Sequence, residues 1–134
     1  MQQGGDHKKF SFPKEERICS KKTLEALLRN KQLLFVHPFK CYYLFSPFKE
    51  GDPIVQMAIA VPKRTIKNAV SRNRIKRMAK EVYRLQSKQI LSPIINEKKR
   101  NLTLLFVFVG VQIPLYNLIE EKIIMLLSQV VNKR

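Results

Sequence analysis

Acidic side chains are the scarcest resource in this chain. Its 134 residues hold only ten Asp plus Glu, two of them aspartates, Asp6 and Asp52. Hydrolysis of a phosphodiester by protein-bound metals needs several carboxylates converging on one point. Here Glu15-Glu16 and Glu120-Glu121 read as surface pairs and Glu81 stands alone among basic neighbours. No Ser/His/Asp or Cys/His arrangement is suggested either. The sequence therefore offers no catalytic residues and no metal ligands of its own. The two histidines, His7 and His37, do not fall at ligand spacing from the two cysteines, Cys19 and Cys41. So few cysteines fit reduced thiols in a cytosolic protein better than a disulfide framework. Tryptophan is absent. Long apolar runs are absent too: the longest, "LTLLFVFVGVQI" (102–113), is too short to span a bilayer and stops at Pro114. The first residues, "MQQGGDHKKF", lack the apolar core of a secretion signal.

What the chain has in excess is positive charge. Lys plus Arg number 26, giving a net charge of +16 and a pI near 10.2. Such an excess makes a polyanion the natural partner, nucleic acid before an anionic membrane. The hydrophobic content of 45% and the length fit one folded domain. Residues 1–16 read as a polar, basic arm, and 17–134 as a single RNA-binding domain.

Periodicity supplies the elements. Ser20 is placed to cap a helix in which Leu24, Leu27 and Leu28 share one face, with Asn30 as terminator. Residues 33–48 are aromatic and β-prone, with a break at His37-Pro38. "KEGD" (49–52) predicts a turn, and 54–61 a further strand. A basic helix follows over roughly 67–88, then a connector over 90–101 and a buried strand over 102–110. A last helix covers 114–131, opened by Pro114. The order αβββαβα suggests an α/β (α+β) two-layer sandwich, one mixed sheet of about four strands backed by helices.

The basic helix is sharply two-faced. Ile75, Met78, Ala79, Val82 and Leu85 fall within one arc at 100° per residue. Arg72, Lys76, Lys80 and Arg84 step at i, i+4 along the opposite side, beside Asn73 and Arg77. Most solvated helices mix charge signs at this spacing, because like pairs each cost a few tenths of a kcal/mol. This stripe is all positive, and upstream Lys63 and Arg64 extend it. Arginine, whose planar fork suits phosphate, outnumbers lysine between 72 and 84. The pattern predicts a phosphate-backbone surface. In the second strand, alternation puts Phe39, Cys41, Tyr43 and Phe45 on one face and Lys40, Tyr42 and Leu44 on the other. A face offering Lys40 and Tyr42 suits stacking and pairing with single-stranded RNA.

"AVSRNRIKRMAKEVYR" (69–84) resembles the RNR motif of the bacterial ribonuclease P protein subunit, an Arg-Asn-Arg followed by Lys-Arg on a helix. Here the matching residues are Arg72, Asn73, Arg74, Lys76 and Arg77. "AIAVPKR" (58–64) is similar to the family's strand leading into that helix, and the likeness extends loosely over 14–131. The resemblance implies an α/β sandwich with a left-handed crossover through the basic helix, whereas nearly all such crossovers are right-handed. It implies a cytoplasmic protein cofactor of a ribonucleoprotein endonuclease that removes the 5′ leader of precursor tRNA. The RNA subunit is then the catalyst, holding Mg²⁺, and the catalytic RNA and precursor tRNA are the partners, with no membrane and no further protein required. The residues implied to meet RNA are Lys63, Arg64, Arg72, Asn73, Arg74, Lys76, Arg77, Lys80 and Arg84. A cleft between the first helix and the sheet is implied to hold the leader, through Phe39, Lys40, Tyr42, Leu24 and Leu28. The family commonly presents phenylalanines from that helix, and leucine fills space but stacks poorly on bases. A ribosomal or assembly protein that binds structured RNA through the same helix is the alternative reading.

Overall fold

The computed structural model describes residues 21–30 and 32–134, with the elements α1 (Lys21–Asn30), β1 (Leu33–Val36), β2 (Phe39–Pro47), β3 (Val55–Ala60), α2 (Ala69–Ile90), α3 (Ser92–Glu97), β4 (Arg100–Phe108) and α4 (Tyr116–Asn132). The arm expected at 1–16, the Ser20 cap and Cys19 lie outside these residues. One four-stranded mixed sheet runs in the order β1-β2-β4-β3. β2 pairs antiparallel with β1 and β4, while β3 pairs parallel with β4. β1 and β3 are therefore the two edges.

β4 sits between two neighbours and is covered on both faces, which explains its unbroken apolar run: Leu102 through Phe106 are all buried. On one face, Phe39, Cys41 and Tyr43 of β2 join Val55 and Met57 of β3 and Leu102, Leu104, Phe106 and Phe108 of β4. α2 and α4 close that face with Ile75, Ala79, Val82 and Tyr83 and with Ile119, Ile123, Leu126, Leu127 and Val130. On the other face α1 lies across β2 and β4, with Leu27 fully buried and Leu105 nearly so. The result is helices on both sides of the sheet, the larger core beneath α2 and α4.

Local chemistry sets the boundaries. Asn68 caps α2, its side-chain oxygen accepting from Val70 N at 2.8 Å and Ser71 N at 3.3 Å. The expected turn at 49–52 forms, with Gly51 at φ +93° and Asp52 N donating to Lys49 O at 3.2 Å. After β4 the chain passes tightly over its own ring: a Cβ on Gly110 would lie 2.6 Å from Phe108 Cζ.

Two expectations need correction. The stretch read as a connector contains α3, with proline in its first turn where the missing N–H costs nothing. The buried stripe of α2 is also rotated from the expected arc. Leu85 is 52% exposed, while Tyr83 is 1% and Ser87 4% exposed. Ile75, Ala79, Tyr83 and Ser87 step at i, i+4, and that row, with Val82, meets the core. The side chain of Val82 is worth roughly 1.5–3 kcal/mol in burial alone. Val82→Asp would add an unpaired buried charge and should abolish cooperative urea unfolding at 25 °C. Leu85→Asp, one turn further on, should change stability by no more than about 0.5 kcal/mol in the same assay.

Candidate RNA interface

The cations of α2 and its entry loop do not all stand in solvent. Arg72 is half-buried, and its Nη1 donates to the carbonyls of Ile66 at 3.0 Å and Lys67 at 2.8 Å. The same loop is tightened by Ile66 N to Pro62 O at 3.2 Å and by Thr65 Oγ1 to Pro62 O at 3.3 Å. Arg72, expected to point outward, instead folds its Nη1 back onto the entry loop. It ties the loop bearing exposed Lys63, Arg64 and Lys67 to the first turn of the helix. Arg84 is likewise engaged, its Nε and Nη2 donating to Glu81 at 3.0 and 2.7 Å. Hydrogen bonding from Arg84 holds the Glu81 carboxyl below its ordinary range. A depressed carboxylate stabilises the fold at neutral pH, and that contribution is lost as pH falls through its lowered value.

What remains is concentrated. Asn73, Arg74 and Arg77 are exposed and Lys76 half-exposed, and none of these three cations meets an acidic side chain among the described residues. Lys80 is exposed on the same side of the helix. With Lys63 and Arg64 at the loop, these form a cationic surface along one side of α2, where unneutralised guanidinium forks can meet phosphate oxygens.

The second face of the sheet is a separate surface. Lys40 and Tyr42 are partly exposed there, opposite Val107 and Leu105 of β4. α1 overlooks it with half-buried Leu24 and with Leu28 at 47% exposure. The register also brings Phe35 beside Lys40 and Leu33 beside Tyr42. Phe35 is 55% exposed and meets His37 edge-on, ring centroids 6.1 Å apart. Its place on this face follows from the two-residue turn at 37–38, which the break in the β pattern marked without fixing the register. Phe39 does not belong here. It is fully buried on the opposite face, edge-on to Phe108 at 5.5 Å, so it cannot touch a leader in this cleft.

The family model described as Ribonuclease P matches residues 12–108, more than half of the chain. The chain belongs to the ribonuclease P protein family. A ribonuclease P protein component of Porphyromonas gingivalis strain ATCC 33277 is 26% identical over 112 residues, covering 84% of this chain and 80% of the relative. One from Chlorobium phaeobacteroides is 32% identical over 84 residues, 61% of this chain and 58% of its own. A structure of Staphylococcus aureus RNase P protein superposes with TM-score 0.66 at 17% identity, covering 86% of this chain and 94% of that one. At that identity the likeness is one of fold. In ribonuclease P terms, the motif's first arginine braces the loop, while Arg74, Lys76 and Arg77 form the free surface.

Arg72→Ala removes a charged donor from two carbonyls and should lower stability by about 1–2 kcal/mol in a urea titration, allowing for its partial exposure. The triple substitution of Arg74, Lys76 and Arg77 by Ala should leave the same titration within about 0.5 kcal/mol. It should instead make the plot of log affinity for RNA against log salt shallower, by roughly one per lost phosphate contact.

Proposed function

We propose that the chain, as the protein component of ribonuclease P, binds the catalytic RNA through α2 and its entry loop and the 5′ leader of precursor tRNA across the second face of the sheet. The observation that carries this reading is the unneutralised Arg74–Lys76–Arg77 surface on a helix whose other side is locked into the core. A rigid row of cations offers phosphate contacts with little ordering cost, so it lends affinity without chemistry. The cleft supplies the complementary mode, an ammonium from Lys40 and the ring of Tyr42 for a splayed single strand.

Hydrolysis is assigned to the RNA subunit. No group of three or more His, Cys, Asp or Glu side chains that could hold a metal occurs among the described residues. The described side chains do not make up a dedicated Mg²⁺ site. The protein's part is electrostatic: cations spread along an RNA–RNA junction lower the repulsion that Mg²⁺ must otherwise screen.

Reconstitution with a ribonuclease P RNA tests the reading, the protein being expected to lower the Mg²⁺ needed to cleave precursor tRNA. No effect at any salt concentration would sink it. Leader dependence tests the cleft. Lys40→Ala with Tyr42→Ala should weaken binding of leader-bearing precursor about 10-fold, a lost base stack being worth about 1–3 kcal/mol. Mature tRNA should be bound as before. Equal losses for both would mean that the cleft does not read the leader, as expected for a general structured-RNA binder.

A further inference from the structure

A second cluster of positive charge lies at the other end of the sheet. β3 leads into the RNA-facing loop at the Ala60–Val107 end of the sheet, whereas β4 starts at the other end, at Arg100, paired with Pro47. At about 3.3 Å per residue those ends are roughly 25 Å apart. Three sequence-distant segments meet at the Arg100 end. One is the left-handed turn at Lys98, φ 54°, which carries Lys98, Lys99 and Arg100. The next is the segment after α4, Lys133 and Arg134, fastened by Arg134 Nη1 to Glu97 Oε1 at 3.1 Å. The third is the run beyond β2, ending in exposed Lys49.

The first two segments and Phe45 of β2 border a pocket of 240 Å³, lined by Phe45, Ile94, Glu97, Lys99, Arg100 and Arg134, with Lys49, Lys98 and Lys133 outside its lining. The Arg100 guanidinium lies 4.7 Å from the centre of the Phe45 ring. Stacking of this kind fixes the plane of the fork. Lys98, Lys99 and Lys133 are exposed and have no acidic partner among the described residues. A merely solvated surface would gain by scattering such charges or pairing them. Here folding converges them from separate segments against mutual repulsion. The pocket is smaller than the roughly 300–1,000 Å³ that encloses a whole small molecule. It suits one phosphate of a chain running across the surface better than an engulfed metabolite.

We propose that this cluster is a second site for RNA phosphates, so that the protein holds RNA at both ends of its sheet. The inference concerns the backbone of the RNA partner and does not depend on how α2 or the leader cleft is used. The test is the triple variant Lys98→Gln, Lys99→Gln and Lys133→Gln, which leaves the Arg100–Phe45 and Arg134–Glu97 contacts in place. The probe is an in vitro transcript of a bacterial ribonuclease P RNA, titrated across a salt series. The salt slope should fall by roughly two to three, at about 0.9 per phosphate lost, and affinity on the order of 10-fold at about 0.15 M salt. Thermal unfolding should be unchanged. In combination with the Arg74, Lys76 and Arg77 substitutions the losses should multiply, as for separate sites. Unchanged affinity and slope in a folded variant would overturn the proposal. So would losses that fail to multiply, or a pocket that binds inorganic phosphate while RNA affinity is unmoved. If the α2 variant alone keeps full affinity, the reading of α2 fails while this one stands.

Discussion

Because β3 and β4 are parallel neighbours, the chain between them has to leave one end of the sheet, travel its length and re-enter at the other end. A helix is the economical way to make that return, and α2 makes it with 22 residues, docked along one apolar stripe. That single constraint places the basic surface. Ile75, Ala79, Val82 and Tyr83 are fixed to the core, so the side chains on the opposite side of α2 are held on a straight, rigid row. β4 supplies the anchor: buried on both faces, it leaves the returning helix one seat.

A helix this basic has to manage its own repulsion. It does so selectively. Arg72 is turned onto two backbone carbonyls and Arg84 onto the single carboxylate of the helix. Between them in the sequence, Arg74, Lys76 and Arg77 are left without an acidic partner among the described residues. The helix is held by burial and by its Asn68 cap, which lets those three cations remain unneutralised without unfolding it.

Much of this was legible in the sequence. Strand alternation placed Lys40 and Tyr42 on one face and Cys41 and Tyr43 on the other, and also placed Phe39 opposite Tyr42. The resemblance argued for Phe39 in the cleft, and the pleat was the better guide because a strand cannot turn one side chain to the wrong face. The rotated stripe of α2 was missed for a different reason. The expected arc includes Leu85 and leaves out Tyr83, yet Tyr83 continues the i, i+4 row from Ile75 and Ala79 and so reaches the core. α3 was hidden by Pro93, which reads as a breaker unless it falls in a first turn. Arg72 is a separate case. A helical projection gives the direction of a side chain, but a guanidinium long enough to fold back onto the preceding loop escapes it. The meeting of Lys99 with Arg134 had no sequence signal at all, since it depends on where α4 ends relative to the start of β4.

The edges of the sheet give the charge a second consequence. Among the described residues β1 is an edge strand that carries Leu33 at 42% and Phe35 at 55% exposure, the kind of strand that recruits a copy of itself. Two free molecules approaching through that border each bring a charge of +16, and their mutual repulsion acts before backbone groups can pair. In about 1 M salt the screening length shrinks to about 3 Å and that guard is withdrawn. The attraction to polyanions and the colloidal stability of the unbound chain are thus one property seen from two sides, and a variant made less basic gives up both together.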